Sequence, residues 1–235
     1  MRQAARLQLA LVLAASAVLS VLMYCVWLRS EYYAPRLIRD IWNGNTNVIQ
    51  SDIDNGASIE RRTSVFGADN LTGFTPLMWA CCKRNADIVR ILLDAKADAN
   101  AIEPRYGRSA LHILFNSASA SPSEACIRLL LQAGAHFDAR TKGGETPLSM
   151  AIISSDVRGA DALLEKISSS GCWQRDGKEY LAQAIGNRDA AMVECLLRHG
   201  ADASGKSAEG LTMLDLARRC NAPPELVSLL QAANK

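Results

Sequence analysis

The residues best equipped for chemistry are seven cysteines (Cys25, Cys81, Cys82, Cys126, Cys172, Cys195 and Cys220) and three histidines, His112, His136 and His199. The adjacent Cys81 and Cys82 precede Lys83 and Arg84. Cations beside a thiol lower its pKa and can make it a nucleophile or a redox switch. Nothing completes a catalytic set around this pair. No Ser/His/Asp or Cys/His pairing recurs at a motif spacing, and no phosphate loop of the form G-x-x-x-x-G-K-S/T occurs. No Cys/His cluster stands at the spacing of a zinc site. The odd cysteine count in a chain of 235 residues also argues against a disulfide framework. The sequence therefore predicts no catalytic residue, no metal and no cofactor.

Composition narrows the class further. With 49% apolar residues the chain can bury a substantial core. Its 26 basic and 24 acidic residues leave a net charge of +2, too small a field to argue for nucleic acid or an acidic substrate. No small-molecule substrate is expected either.

The elements that position these residues are set by the stretch Gly73–Ala101. A turn glycine leads to Thr75, which can cap a helix with Pro76 in its first turn, where the missing N–H costs nothing. A short helix from Leu77 to about Lys83 follows, with small Ala80 and Cys81 placed for close contact. A polar turn then leads to a second apolar run, Ile88, Val89, Ile91, Leu92 and Leu93. The first-helix leucine recurs as Leu37, Leu77, Leu111, Leu148, Leu181 and Leu214. The second-helix exits recur at Asn55-Gly56-Ala57, Lys96-Ala97, Gly134-Ala135 and Gly200-Ala201-Asp202. Two inserts break the period, one around Arg61–Asn70 and one in Asn116–Ser123. Unit four has Ile167-Ser168 where the other units lead one to expect Gly-Ala.

The segment T-P-L-M-W-A-C at Thr75–Cys81 resembles the T-P-L-H-x-A-A signature of the ankyrin-repeat family, whose period is about 33 residues. The resemblance implies an all-α ankyrin-repeat solenoid of helix–turn–helix units joined by β-hairpin loops, about six repeats over residues 35–235. It also implies that His112 bridges neighbouring turns, and that Cys81, Cys126 and Cys195 act as small core hydrophobes. His136 falls in a hairpin. His199, just before the helix-terminating Gly200, reads as structural too.

Ahead of the repeats, Leu7–Leu28 is an uncharged run of 22 residues, long enough to cross a bilayer core. Arg2 and Arg6 precede it, and Tyr24 and Trp27 sit near its far end, where an aromatic belt belongs. The competing reading is a signal peptide cleaved after Ala15-Ser16-Ala17, but the apolar run continues well beyond that point. Residues 1–29 are thus expected to form a transmembrane or signal-anchor helix and 30–34 a short linker. Flanking arginines on both sides nearly cancel the positive-inside signal. A short basic leader leans N-in, placing the repeats on the non-cytoplasmic side, the periplasm if the source is bacterial. The sequon Asn70-Leu71-Thr72 informs only in a eukaryotic secretory chain.

Repeat solenoids bind through hairpin tips and first-helix ends. The register puts Trp42, Cys82, Lys83, Asn116 and Ile153 at first-helix ends, and Arg62, Phe66, Phe74, Arg105, Tyr106, Arg108, Trp173 and Arg175 on tips. Aromatics and arginines on loops suit interface hot spots. The expected partner-binding residues are Arg62, Phe66, Phe74, Cys82, Lys83, Arg105, Tyr106, Arg108, Trp173 and Arg175. The expected function is a membrane-tethered, non-enzymatic binder of a protein partner, in its sharper form an inhibitor or immunity-type binder of a membrane-acting effector. The alternative is a scaffold docking a basic face on anionic lipid.

Overall fold

A computed structural model describes residues 36–63, 73–115, 124–170 and 173–234, with backbone alone at 169–170 and 173–176. Within them the chain forms twelve α-helices: α1 (Arg36–Asn43), α2 (Thr46–Asp54), α3 (Pro76–Cys82), α4 (Ala86–Asp94), α5 (Ala110–Phe115) and α6 (Glu124–Gln132), then α7 (Pro147–Ile153), α8 (Val157–Ser170), α9 (Trp173–Gly186), α10 (Ala190–Arg198), α11 (Met213–Arg219) and α12 (Pro224–Ala233). They associate in chain order as six pairs. The first helices of successive pairs pack on one another, the second helices do the same, and each helix packs on its own mate. None of these helices is long enough to bury a core by itself, so stability comes from stacking. The period-setting leucines form the spine: Leu37, Leu77, Leu111, Leu148 and Leu181 are all buried, while Leu214 in the last described unit is half-buried.

The second unit forms as its sequence dictates. The Thr75 hydroxyl accepts from the Met78 N–H at 3.3 Å, and Pro76 opens the helix. Thr146 and Pro147 repeat the arrangement at α7, with the Thr146 hydroxyl accepting from the Ser149 N–H at 3.2 Å. Ala80 and Cys81 are fully buried, the close helix contact for which small side chains are needed. In the first unit, where leucines are missing from the second helix, buried Asp40 and Asp52 flank Arg36 Nε at 3.8 and 3.3 Å.

Exits from the second helices use left-handed backbone. Gly56, Gly134 and Gly200 have φ of 84°, 84° and 90°, and in unit two Lys96 takes the same position at 71°. The fingers between units are tight turns with little β-pairing. The described residues hold two isolated antiparallel bridges, Ile102 with Ser109 and Lys206 with Thr212, rather than the strands of full hairpins.

The finger expected between units four and five is absent. Helix α8 runs on through Ile167 and Ser168, and α9 begins at Trp173. Without a glycine to turn the chain left-handed at this exit, the helix continues. Trp173 and Arg175 therefore lie in the first turn of α9 and not on a hairpin tip, which corrects that expectation. Among the described residues no helix is long and apolar enough to cross a membrane. The Leu7–Leu28 run, Phe66, and the Asn116–Ser123 insert lie outside the described residues, as does most of the Arg61–Asn70 insert.

Candidate protein-interaction face

The second finger, residues 101–109, is built around a buried carboxylate. Glu103 has no solvent exposure and accepts from the backbone N–H groups of Arg105 at 2.7 Å, Tyr106 at 2.8 Å and Arg108 at 3.3 Å. The Arg108 guanidinium closes the set, its Nε donating to Glu103 at 3.1 Å. Burial opposes ionisation of Glu103, but these N–H bonds outweigh it and hold the carboxyl below its usual range. Arg108 in turn lies 4.6 Å from the Tyr106 ring centre and 5.7 Å from that of Phe74, while Arg105 stands 5.1 Å from Tyr106. Tyr106 thus has two cations against its ring while it stays exposed.

Fingers are also tied to each other. Gly107, at φ 72°, lets the Lys142 backbone approach so closely that a Cβ there would sit 3.3 Å from Lys142 N. The Lys142 N–H donates to the Tyr106 carbonyl at 2.8 Å and its ammonium to the Pro104 carbonyl at 2.6 Å. Arg62 crosses from the preceding finger and donates to the carbonyls of Gly73 and Ile102 at 3.1 and 2.7 Å.

Between these fingers and the first helices lies a groove of about 410 Å³, lined by Tyr106, Lys142 and Glu145 on one side and by Phe115, Met150 and Ile153 on the other. A second groove of about 390 Å³ continues past Ile153 to Tyr180 and Gln183. Ile153, at the end of α7, is 60% exposed on the ridge between them. At the other end of the stack Trp42 is 52% exposed, with the Lys83 ammonium 3.4 Å above its ring centre and buried Trp79 edge-on at 5.6 Å.

Family models described as ankyrin repeats match residues 37–117 and 117–164, together more than half of the chain. The chain belongs to the ankyrin-repeat family. Human neurogenic locus notch homolog protein 1 is 32% identical over 173 residues, covering 72% of this chain and 6% of that protein. The mouse B-cell lymphoma 3 protein homolog is 28% identical over 144 residues, 61% of this chain and 32% of that protein. The chain therefore spans a third or less of these relatives. Among solved structures, the ankyrin repeat domain of Bcl-3 superposes with a TM-score of 0.67 at 24% identity, covering 86% of this chain and 87% of that one, a likeness of fold. Membership implies protein–protein interaction.

On this ankyrin frame the expected binding residues separate by what they touch. Tyr106, Arg105 and Lys83 are exposed. Phe74 is 1% exposed, with its ring 5.8 Å from Trp79, so it belongs to the core and not to a binding surface. Arg108 is likewise buried by its bond to Glu103 and serves the finger. Arg62 is exposed but acts as a strut between fingers. Cys82 is half-buried, and burial raises its thiol pKa despite Lys83, Arg108 and Arg84 nearby, which removes the basis for a reactive thiolate. Burial likewise raises Cys81 and pushes Cys126 up to about 11. The five cysteines described are all unpaired thiols.

The ankyrin histidine behaves as the resemblance implies. Buried His112 accepts at Nδ1 from the Ser109 N–H at 3.2 Å and reaches the Glu145 carbonyl of the next finger with Nε2 at 3.2 Å. Two residues central to the groove, Met150 and Ile153, were not among the expected binders. The register alone marks Ile153 as a first-helix end, and that is the signal which finds it.

Proposed function

We propose that this chain is a membrane-tethered, non-catalytic ankyrin protein that grips a protein partner along Trp42, Tyr106 and Ile153. The observation that carries the reading is where the large apolar side chains are exposed. Of the four such residues among the described ones, Trp42, Tyr106, Ile102 and Ile153, three stand at first-helix ends or a fingertip. Tyrosine and tryptophan on a pre-ordered scaffold supply contact area at small entropic cost, as interface hot spots require. The finger bearing Tyr106 is ordered by Glu103 before any partner arrives. Protein is favoured over lipid as the ligand because several tip cations are already engaged with backbone carbonyls: Arg62, Lys142 and also Arg140, which donates to Gly144.

The tether in this reading is Leu7–Leu28, and a linker of residues 30–34 reaches at most ~20 Å. The repeats then work close to the bilayer, on its non-cytoplasmic side for an N-in anchor. A partner that acts at the membrane, such as an effector held inactive by an inhibitor or immunity protein, suits that position. The test uses the full chain in extracts of its native membrane. A protein that co-purifies with the wild type and is lost with Tyr106→Ala/Ile153→Ala supports the site, and unchanged capture overturns it. Alkaline extraction checks the tether, since release of the chain from the membrane pellet would show that it is only peripherally held.

A further inference from the structure

Helices α8 and α10, the second helices of units four and five, pack side by side and bring three metal-competent side chains together outside the interaction face. Asp161 Oδ1 lies 2.8 Å from His199 Nε2 and 3.6 Å from Cys195 Sγ. All three ligand atoms fall within 4.8 Å of one another. Cys195 lies on α10 and His199 is its C-cap, four residues on, so both side chains reach Asp161 from the same end of the helix.

We propose that Asp161, Cys195 and His199 form a binding site for one divalent cation of borderline softness, Zn²⁺ by preference, that clamps unit four to unit five. A thiolate, an imidazole and a carboxylate are the donor types of zinc sites, and soft sulfur with imidazole discriminates against Mg²⁺ and Ca²⁺. Bonds of 2.0–2.3 Å in a tetrahedron place neighbouring ligand atoms roughly 3.3–3.8 Å apart. The Cys195–Asp161 separation already has that value, and the His199–Asp161 pair needs to open by only about half an ångström. His199 and Asp161 keep part of their side chains in solvent, 16% and 36%, which leaves a path for the ion and a place for a water as fourth ligand.

The surrounding charges are consistent with a cation. Glu165, one turn beyond Asp161 on α8, adds negative charge near His199, although Arg128 holds it bidentately at 2.7 and 3.2 Å. The opposing charge is Arg198, 61% exposed, which lies 3.8 Å from Asp161 Oδ1 and also bonds Cys195, so an ion must displace it from both. The bond from His199 keeps the Asp161 carboxyl below its usual range, hence anionic. Burial and the neighbouring Asp161 push the Cys195 thiol up to about 11. A metal must therefore displace that proton, and binding strengthens as pH rises. The location also gives the clamp a purpose, since this junction lacks the finger that ties other units together.

The test is titration of the full chain, in detergent, with Co²⁺ as a spectroscopic stand-in and then with Zn²⁺. The expected result is a thiolate-to-cobalt charge-transfer band with the visible bands of a tetrahedral ion, saturating at one ion per chain and displaced by Zn²⁺. Cys195→Ser removes the charge-transfer band. His199→Gln, which keeps an amide to bond Asp161 and so preserves the fold, weakens binding by at least tenfold. Zn²⁺ raises the thermal midpoint of the wild type, and a chelator reverses the rise. Absence of the band in the wild type, or its survival at full intensity in Cys195→Ser, overturns the site.

Discussion

Glu103 and Arg108 face each other inside one finger, carboxylate to guanidinium at 3.1 Å, with side-chain exposures of 0% and 8%. Such a pair has already lost its hydration, so removing one member leaves the other charged and unpaired. Glu103→Ala is expected to lower unfolding free energy by about 3 kcal/mol, read from urea midpoints. Glu103→Gln, whose single carbonyl oxygen can still accept from the Tyr106 and Arg108 N–H groups that meet at Oε1, costs less. Adding Arg108→Leu to Glu103→Ala recovers part of the loss, because the stranded cation disappears. A double-variant cost equal to the sum of the Glu103→Ala and Arg108→Leu costs would show that the two side chains are not coupled.

Buried His112 makes stability depend on pH in a direction that can be worked out. Burial lowers its pKa below the ordinary 6.5, so the unfolded chain takes up a proton first as pH falls. The stabilisation is complete above 6.5 and is lost as pH drops through the lower folded value. The slope from this one group is at most about 1.4 kcal/mol per pH unit. His112→Gln should flatten the stability profile just below pH 6.5 relative to wild type. The lowered carboxyls, Glu103 among them, act nearer 4.5 and below. A variant profile parallel to the wild type there would exonerate His112.

Lys96 occupies the helix exit that glycine fills in units one, three and five, at φ 71°. A left-handed conformation costs a residue with a Cβ about 1 kcal/mol relative to glycine. Lys96→Gly is therefore expected to stabilise the chain by roughly 0.5–1 kcal/mol, raising the thermal midpoint by about 1–4 °C. A lowered midpoint would mean that Lys96 carries no strain.

The fold was legible because leucine spacing repeats, and buried Leu77, Leu111, Leu148 and Leu181 vindicate the register. What the register could not show was the fate of side chains on fingers. Phe74 and Tyr106 are both aromatics in turns, yet one packs on Trp79 and the other reaches solvent. Sequence distance does not encode which neighbour a turn folds against. Trp173 and Arg175 were misplaced because loss of Gly-Ala at 167–168 lengthened a helix where a turn was expected. Asp161, Cys195 and His199 escaped a motif search since they are separated by 34 and 38 residues. The first separation is close to one repeat and His199 lies four residues beyond Cys195, so a search at the repeat period would have found the Asp161–Cys195 pair.

The same contrast between two aromatics supplies the sharpest check on the interaction face. Phe74 lies under Arg108 and against Trp79, so Phe74→Ala should cost about 3–5 kcal/mol of stability and weaken binding only as a consequence of unfolding. Tyr106 is 37% exposed, and its backbone, not its ring, makes the bonds to Glu103 and Lys142 that order the finger. Tyr106→Ala should therefore cost only about 1 kcal/mol of stability, the order of its cation–π contacts with Arg105 and Arg108, while weakening partner binding by about 2 kcal/mol, roughly thirtyfold in Kd. Paired unfolding and binding titrations on both variants separate the cases. If Tyr106→Ala loses stability in proportion to affinity, its ring is part of the scaffold, and the contact with the partner must lie elsewhere along Trp42 and Ile153.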